Sequence, residues 1–386
     1  MGKKSVKSRS VPARLKNQTT EASSAPTAFV SHSKVLFTIL SALFALLAIY
    51  FYSSETRRED DSLTRLLENR SLDTIDRRSD LSLEEYTSLY DGKWPVLITD
   101  AMNDWPALSK WDWSYFLNRY GDHLVAMKAV HGKLTDSQML SVPLNVFSKH
   151  VHESSPTTWT YINDELFIPF RPELSLDIRR PIYMEEDYFK LLPKELQPWD
   201  TMLLWGTSHS RSSLHIDPYN WTGTNAVLKG RKRWKLFPPG QDHLLYVIRG
   251  QHCGFPLDCF KYNSEVDAFD PDLERYPLFT QAKYIEFEQL PGELLLIPTG
   301  WFHQAYNPEE CLAISSQVYN SQNVKIVTEE ILKVGEVKQA KLPQDFSSYK
   351  PRDQVAALVK VIPKSIIKKG KDVTDKIAKQ FHRTST

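Results

Sequence analysis

Cysteine is nearly absent. Cys253, Cys259 and Cys311 make an odd total of three in a chain of 386 residues. That excludes a disulfide framework of the small secreted kind, and without a CxxC pair the usual zinc scaffolds fall away too. Cys253 and Cys259 are close enough in sequence to bridge across a small loop in an oxidising compartment. Net charge is almost absent as well, with 48 basic against 47 acidic side chains. Such a balance gives no argument for nucleic acid or acidic partners. No internal repeat of fixed period runs through the chain. No KDEL-like signal closes it, since it ends Arg383-Thr384-Ser385-Thr386, so the organelle stays unnamed. Aromatic residues, in contrast, reach 12%, with 10 Trp, so large rings are expected to fill much of the core. The length suits one large domain with appendages or two modest domains.

Residues 1–34 carry seven basic side chains, from Lys3 to Lys34, against one acid, Glu21. The remainder is Ser, Thr and Ala, which bury too little apolar surface to offset ordering entropy. Val35 to Tyr52 then reads VLFTILSALFALLAIYFY, 18 residues without a charge. At about 1.5 Å per residue this nearly spans the hydrocarbon layer, and Tyr50, Phe51 and Tyr52 suit an interfacial belt. A buried core helix is usually shorter and amphipathic. A cleaved signal peptide is the other alternative, but the preceding tail is long and no A-x-A-like site follows Tyr52. The expectation is one uncleaved anchor with its basic flank in the cytosol. The protein is then a single-pass type II membrane protein with its catalytic domain in the lumen, the endoplasmic reticulum being preferred over Golgi or plasma membrane. Residues 53–80 are polar and charged and read as a stalk.

Beyond residue 80 the pattern changes. Trp94 to Ile98 reads as a strand and Asp112 to Tyr120 as a helix. Between 200 and 320, short apolar runs such as Met202–Trp205, Ala226–Leu228, Arg233–Phe237, Glu293–Ile297 and Leu312–Val318 are punctuated by Pro238-Pro239-Gly240, Pro291-Gly292 and Pro298-Thr299-Gly300. That rhythm predicts a mainly β fold, a jelly-roll or cupin barrel (a double-stranded β-helix), with flanking helices and one transmembrane helix ahead of it. Residues 326–386 are Lys-rich and partly helical in pattern, notably Gln354 to Ile362.

Leu214-His215-Ile216-Asp217-Pro218 carries the chemistry. Residues two apart on a strand share a face, so His215 and Asp217 converge. An HxD triplet alone is weak, and a satisfied His beside a turn Asp is its ordinary explanation. The third group strengthens the case. In PGELLLIPTGWFH, a turn, a buried strand and a second turn end on His303, at the mouth of a barrel strand. His215, Asp217 and His303 then form a two-His-one-carboxylate set suited to Fe(II), with open positions for a bidentate co-substrate and O2. A 2-oxoglutarate bound there needs a cation for its distal carboxylate. Lys232, Trp234 and Leu236 share one strand face, so Lys232 is expected to point inward. Arg233 and Lys235, on the other face, are expected to be solvated.

The stretches SLHIDPYNWTGTNAVLKGRKRWKLFPP and PGELLLIPTGWFHQAYN, with PVLITDAMNDWPALSKW before them, resemble the Jumonji C oxygenases over roughly residues 80–325. The resemblance is closest to the small hydroxylase-like members. It implies that His215, Asp217 and His303 bind iron and are catalytic. It further implies that Lys232 binds the 5-carboxylate of 2-oxoglutarate and that Asn225 lines its pocket. Ser212 supplies the hydroxyl that many relatives place on Thr three residues before the first His. Tyr161 is the candidate for the co-substrate Tyr, and Gln317 stands where some relatives carry a pocket Asn. The domains expected are therefore a basic tail (1–34), an anchor (35–52), a stalk (53–80), an oxygenase domain (81–325, core 200–320) and a helical extension (326–386).

The implied activity is an Fe(II)- and 2-oxoglutarate-dependent dioxygenase that hydroxylates a side chain of a protein in the secretory pathway. A demethylase of the same chemistry and a catalytically silent metal-binding cupin are the alternatives. Expected partners are a protein substrate and a membrane, with a homodimer as an option and no nucleic acid. Asn69-Arg70-Ser71 and Asn220-Trp221-Thr222 are sequons that would face the lumen. The first could carry glycan, and the second is expected to stay bare or lie at the pocket rim.

Overall fold

A computed structural model describes residues 70–252, 260–335 and 337–384, together with Phe37, Leu40, Ser41, Leu43, Phe44 and Leu47. The chain divides into two compact units, Met1–Ser54 and Glu55–Thr386. In the first, the six described positions are helical, and the five apolar ones are at least half exposed. The rest of Val35–Tyr52 lies outside the described residues, as do Asn69, Cys253 and Cys259. Among the described residues no helix is long and apolar enough to cross a membrane. Cys311 is a free, buried thiol.

The second unit contains fifteen strands among its described residues: β1 (Asp76–Arg78), β2 (Val96–Ile98), β3 (Leu124–His131), β4 (Gln138–Pro143), β5 (Thr158–Asp164), β6 (Met202–Gly206), β7 (His215–Ile216), β8 (Thr222–Lys229), β9 (Lys232–Phe237), β10 (Val247–His252), β11 (Phe260–Ser264), β12 (Ile285–Gln289), β13 (Leu294–Ile297), β14 (Phe302–Tyr306) and β15 (Cys311–Val318). They form a nine-stranded sheet, β1-β2-β13-β8-β15-β6-β5-β3-β4, and a six-stranded sheet, β10-β11-β7-β14-β9-β12. From β6 to β9 and from β12 to β15 the chain passes repeatedly between the sheets, as a jelly roll does. One core joins them: Leu203, Trp205, Ala226, Leu228, Leu296 and Ile314 of the larger sheet pack with Trp234, Leu236, Ile285 and Ala305 of the smaller.

The apolar runs read from the sequence lie in β2, β6, β8, β9, β13 and β15, each within a few residues of its expected bounds. The helix Trp113–Tyr120 starts where Asp112 caps it by accepting from the Tyr115 amide at 2.7 Å, and it buries Tyr115, Phe116 and Tyr120. Such a cap contributes about 1 kcal/mol. Two boundaries differ from expectation. Strands β3, β4 and β5 extend the large sheet outside the 200–320 core. β1 pairs in parallel with β2 inside the stretch read as stalk, where Tyr90 donates to Asp76 at 2.9 Å. A three-residue strand made of Asp76, Arg77 and Arg78 has no apolar alternation to reveal it. At the other end, the helices Val324–Val334 and Pro351–Val361 bury Val327, Ile331, Val355 and Leu358 in a second apolar cluster with Phe189, Tyr219 and Tyr319.

Asp91, in the turn after the helix Leu83–Leu89, is buried and accepts from the Asn320 amide at 2.7 Å. Burial pushes its carboxyl up to about 6, with the Asn320 contact opposing. The unfolded value is about 3.9. The folded state therefore holds the proton more tightly, so stability falls as pH rises from about 4 through about 6. Asp91→Asn, which keeps an acceptor for Asn320, should melt like wild type at pH 4 and at a higher temperature than wild type at pH 7.5. Thermal melts at the two pH values measure this.

Candidate metal centre

β7 and β14 are antiparallel neighbours, and His215 and His303 face each other in register. Their ring centroids lie 4.4 Å apart. Asp217 follows in extended backbone, and its Oδ1 lies 3.5 Å from His215 Nε2 and 3.7 Å from His303 Nε2. Both Nδ1 atoms meet backbone carbonyls, Ser213 O at 2.8 Å and Trp301 O at 3.1 Å. A carbonyl only accepts, so each Nδ1 carries the proton and each Nε2 is left free toward Asp217. The exposures of the three side chains, 24% for His215, 19% for Asp217 and 6% for His303, place the open side of the cluster toward a cavity.

The donor set fits a divalent ion. Donors bound at about 2.1 Å lie roughly 3.0–3.4 Å apart around a metal, and the carboxylate stands within a few tenths of an ångström of that from each imidazole. Two imidazoles and one carboxylate leave coordination positions open. Burial alone would raise the Asp217 carboxyl. When protonated on Nε2, His303 and His215 outweigh it and hold the group well below the usual carboxylate range. Gly223 makes room for this carboxylate: a Cβ there would come within 1.9 Å of Asp217 Oδ2.

A cavity of about 370 Å³ opens from the cluster. Tyr161, Ser212, Asn225, Trp234 and Gln317 line it, as do Lys128, Asn163, Glu165, Trp199 and Trp221. Lys232 is fully buried but does not line it. Its Nζ donates to Asn307 Oδ1 at 3.1 Å and to the Tyr161 hydroxyl at 3.4 Å, so Tyr161 stands between the ammonium and the cavity. Among the described residues no carboxylate pairs with this ammonium. Gly206 shapes the same corner, since a Cβ there would meet Asn307 Nδ2 and Ser210 Oγ at 2.2 Å and Tyr161 Cδ2 at 2.6 Å. Asn225 is buried with no hydrogen-bond partner for Oδ1. The Ser212 hydroxyl accepts from the Ala305 amide at 3.0 Å, and Gln317 donates to Trp199 O at 2.9 Å.

Expected burial on β9 holds for Lys232 and Trp234 inside and Arg233 outside. Lys235 is not solvated as expected. It lies largely covered between the Phe269 and Tyr284 rings and donates to Ala268 O at 2.9 Å. Asn307 was not foreseen, although counting by twos along β14 from His303 through Ala305 reaches it. Asn220, of the second sequon, accepts from Gly300 N at 2.6 Å, and Thr222 is buried.

With this geometry in place, the profile of the cupin-like domain matches residues 82–323. The chain belongs to the cupin-like family. Among curated proteins this cupin-like chain is 30% identical over 259 residues to the lysine-specific demethylase JMJ21 of Arabidopsis thaliana, covering 66% of this chain and 26% of that one. It is 25% identical over 262 residues to the bifunctional arginine demethylase and lysyl-hydroxylase psr-1 of Caenorhabditis elegans, covering 66% and 63%. It is 28% identical over 185 residues to the 2-oxoglutarate and iron-dependent oxygenase JMJD4 of Danio rerio, covering 45% and 39%. The chain thus spans between about a quarter and under two thirds of these relatives' lengths.

Gly223→Ala should push the Asp217 carboxylate out of place. Its affinity for Mn(II), read by electron paramagnetic resonance, should fall at least about tenfold. Affinity equal to wild type would show that the carboxylate is not a ligand.

Proposed function

We propose that this protein is an Fe(II)- and 2-oxoglutarate-dependent oxygenase that hydroxylates a side chain of a protein substrate. The observation that carries the reading is the pairing of two features: the His215, Asp217 and His303 cluster on the cavity, and behind the lining residue Tyr161 a fully buried ammonium, Lys232, without a carboxylate partner among the described residues. His215, Asp217 and His303 hold the metal. Lys232 and the Tyr161 hydroxyl supply the cation and donor for the distal carboxylate of 2-oxoglutarate, with Asn225 and Ser212 beside it. Bound there, Fe(II) and 2-oxoglutarate supply oxidation of a C–H bond by O2, the co-substrate leaving as succinate and CO2. Trp234 and the surrounding barrel residues keep bulk water from the inner cavity, and Asp217 with the two Nε2 atoms fixes which side faces the substrate. The oxygenase name of the Danio relative and the lysyl-hydroxylase name of the Caenorhabditis relative support this reading. The demethylase names favour a second reading with the same chemistry on an N-methyl group. Release of formaldehyde from methylated peptides, against a +16 Da product, separates the two.

The uncharged Val35–Tyr52 run acts as a single anchor and leaves the oxygenase domain in the lumen. Its basic flank and its exposed apolar helical positions support this. Protease added to intact microsomes should spare the domain, and digestion without detergent would overturn that topology.

Purified protein with Fe(II) should convert 2-oxoglutarate to succinate, and Asp217→Ala should not. Removing one partner of a buried charge pair costs roughly 3–5 kcal/mol, and each 1.4 kcal/mol is about tenfold. Lys232→Ala should therefore weaken 2-oxoglutarate binding about 100- to 1000-fold with metal binding unchanged, as anaerobic titration with Mn(II) in place would read. Lys235→Ala, on the outer face, should leave both affinities near wild type. The reverse pattern would refute the assignment.

A further inference from the structure

The turn after Asp217 is unusual. Tyr219 and Asn220 are consecutive non-glycine residues with positive φ, 55° and 54°. Left-handed backbone costs an ordinary L-residue about 1–2 kcal/mol, so something must hold the pair there. Tyr219 is held by burial, against Phe189 and Trp221. Asn220 is held by a different turn. Its Oδ1 accepts from Gly300 N at 2.6 Å and from the Thr299 hydroxyl at 2.9 Å, while the same hydroxyl lies 2.5 Å from Asn220 O. Its own amide donates to Asp217 O at 3.0 Å. Gly300 lies three residues before His303 in sequence, and Asp217 three residues before Asn220. One carboxamide thus fastens the segment bearing the carboxylate to the segment bearing the second imidazole.

The geometry points to Asn220 as a positioning residue that pre-sets the separation of Asp217 and His303 before any ion arrives. It rests on the reading of His215, Asp217 and His303 as a metal site. Asn suits both demands of the position: it tolerates left-handed backbone better than most residues, and it offers a side-chain oxygen where glycine offers none. The link from β7 to β14 through the facing imidazoles is a single residue pair in register. The backbone alone therefore ties the two segments weakly at this end, and Asn220 supplies a second tie on the far side of the ligands.

The test uses the full chain and two substitutions. Asn220→Gly keeps the backbone at ease and removes the clasp. Asn220→Asp keeps an Oδ1 acceptor for Gly300 and Thr299. With Co(II) as probe, wild type should bind and show a defined visible spectrum. Asn220→Gly should bind about 10- to 100-fold more weakly, as loss of supporting contacts around ligands typically does, and with an altered spectrum. Its metal-free melting temperature should stay close to wild type. Asn220→Asp should restore both affinity and spectrum. Wild-type affinity and spectrum in Asn220→Gly would overturn the inference while leaving the metal site intact. A Gly variant whose loss of affinity is matched by a lower metal-free melting temperature, with an unchanged spectrum, would also overturn it and mark the residue as structural. Failure of wild type to bind Co(II) would overturn the metal-site reading itself and this inference with it.

Discussion

His215 and His303 face each other across two neighbouring strands, and Asp217 meets both Nε2 atoms within 3.7 Å. The rest of the site is arranged around that convergence. Three polar groups at one point in an apolar barrel carry a large desolvation cost unless each finds a partner. The two Nδ1 atoms take backbone carbonyls two residues back, Ser213 and Trp301. What remains is a carboxylate and two bare nitrogens with only one another and whatever enters the cavity. Protonated imidazole can answer the carboxylate, and so can a divalent cation. The cation uses all three donors at once, whereas two imidazolium rings at 4.4 Å repel.

Lys232 poses the converse problem. It is fully buried, one strand away from His303, and among the described residues its ammonium meets only neutral oxygens, Asn307 Oδ1 and the Tyr161 hydroxyl. Burial and those neighbours work against each other, with Tyr161 and Cys311 compensating the desolvation. The barrel therefore holds a set of donors that favours a positive guest and a cation that favours a negative one. The donors line one cavity, and Tyr161 stands between Lys232 and that lining. A guest that chelates a metal at one end and carries a carboxylate at the other meets both demands. A simple metal-binding cupin meets only one and leaves Lys232 without a function.

The strands of the barrel were legible because their apolar runs are short and punctuated by Pro and Gly, and the triad because HxD follows the period of two and His303 follows a turn, a buried strand and a second turn. The inward face of β9 was legible for the same reason, Lys232 and Trp234 falling on one side. Less visible were features that no local pattern encodes. Lys235 obeys the alternation yet is covered, because Phe269 and Tyr284 arrive from distant segments. Asn307 and Asn220 look like ordinary loop residues until the fold brings Lys232 and Gly300 to them. Gly223 reads as a strand weakness, whereas it is the space that the Asp217 carboxylate occupies. In each case a tertiary neighbour gives the residue its role.

The division of labour between the barrel and the strands added to its large sheet follows from the same geometry. Ligands and the buried ammonium come from β7, β9, β14 and the turn after β7, all within the barrel. Another part of the cavity lining is built differently. Lys128 on β3, Tyr161 and Asn163 on β5 and Glu165 just beyond it come from strands added to the sheet at its β6 edge. Trp199 and Trp221 line the cavity as well. The relatives are named for different substrates. On the proposed reading, discrimination comes from groups that touch the entering side chain rather than from the triad. Lys128, Glu165 and Trp199 line the cavity from elements outside the barrel, so these residues can change without disturbing the metal centre.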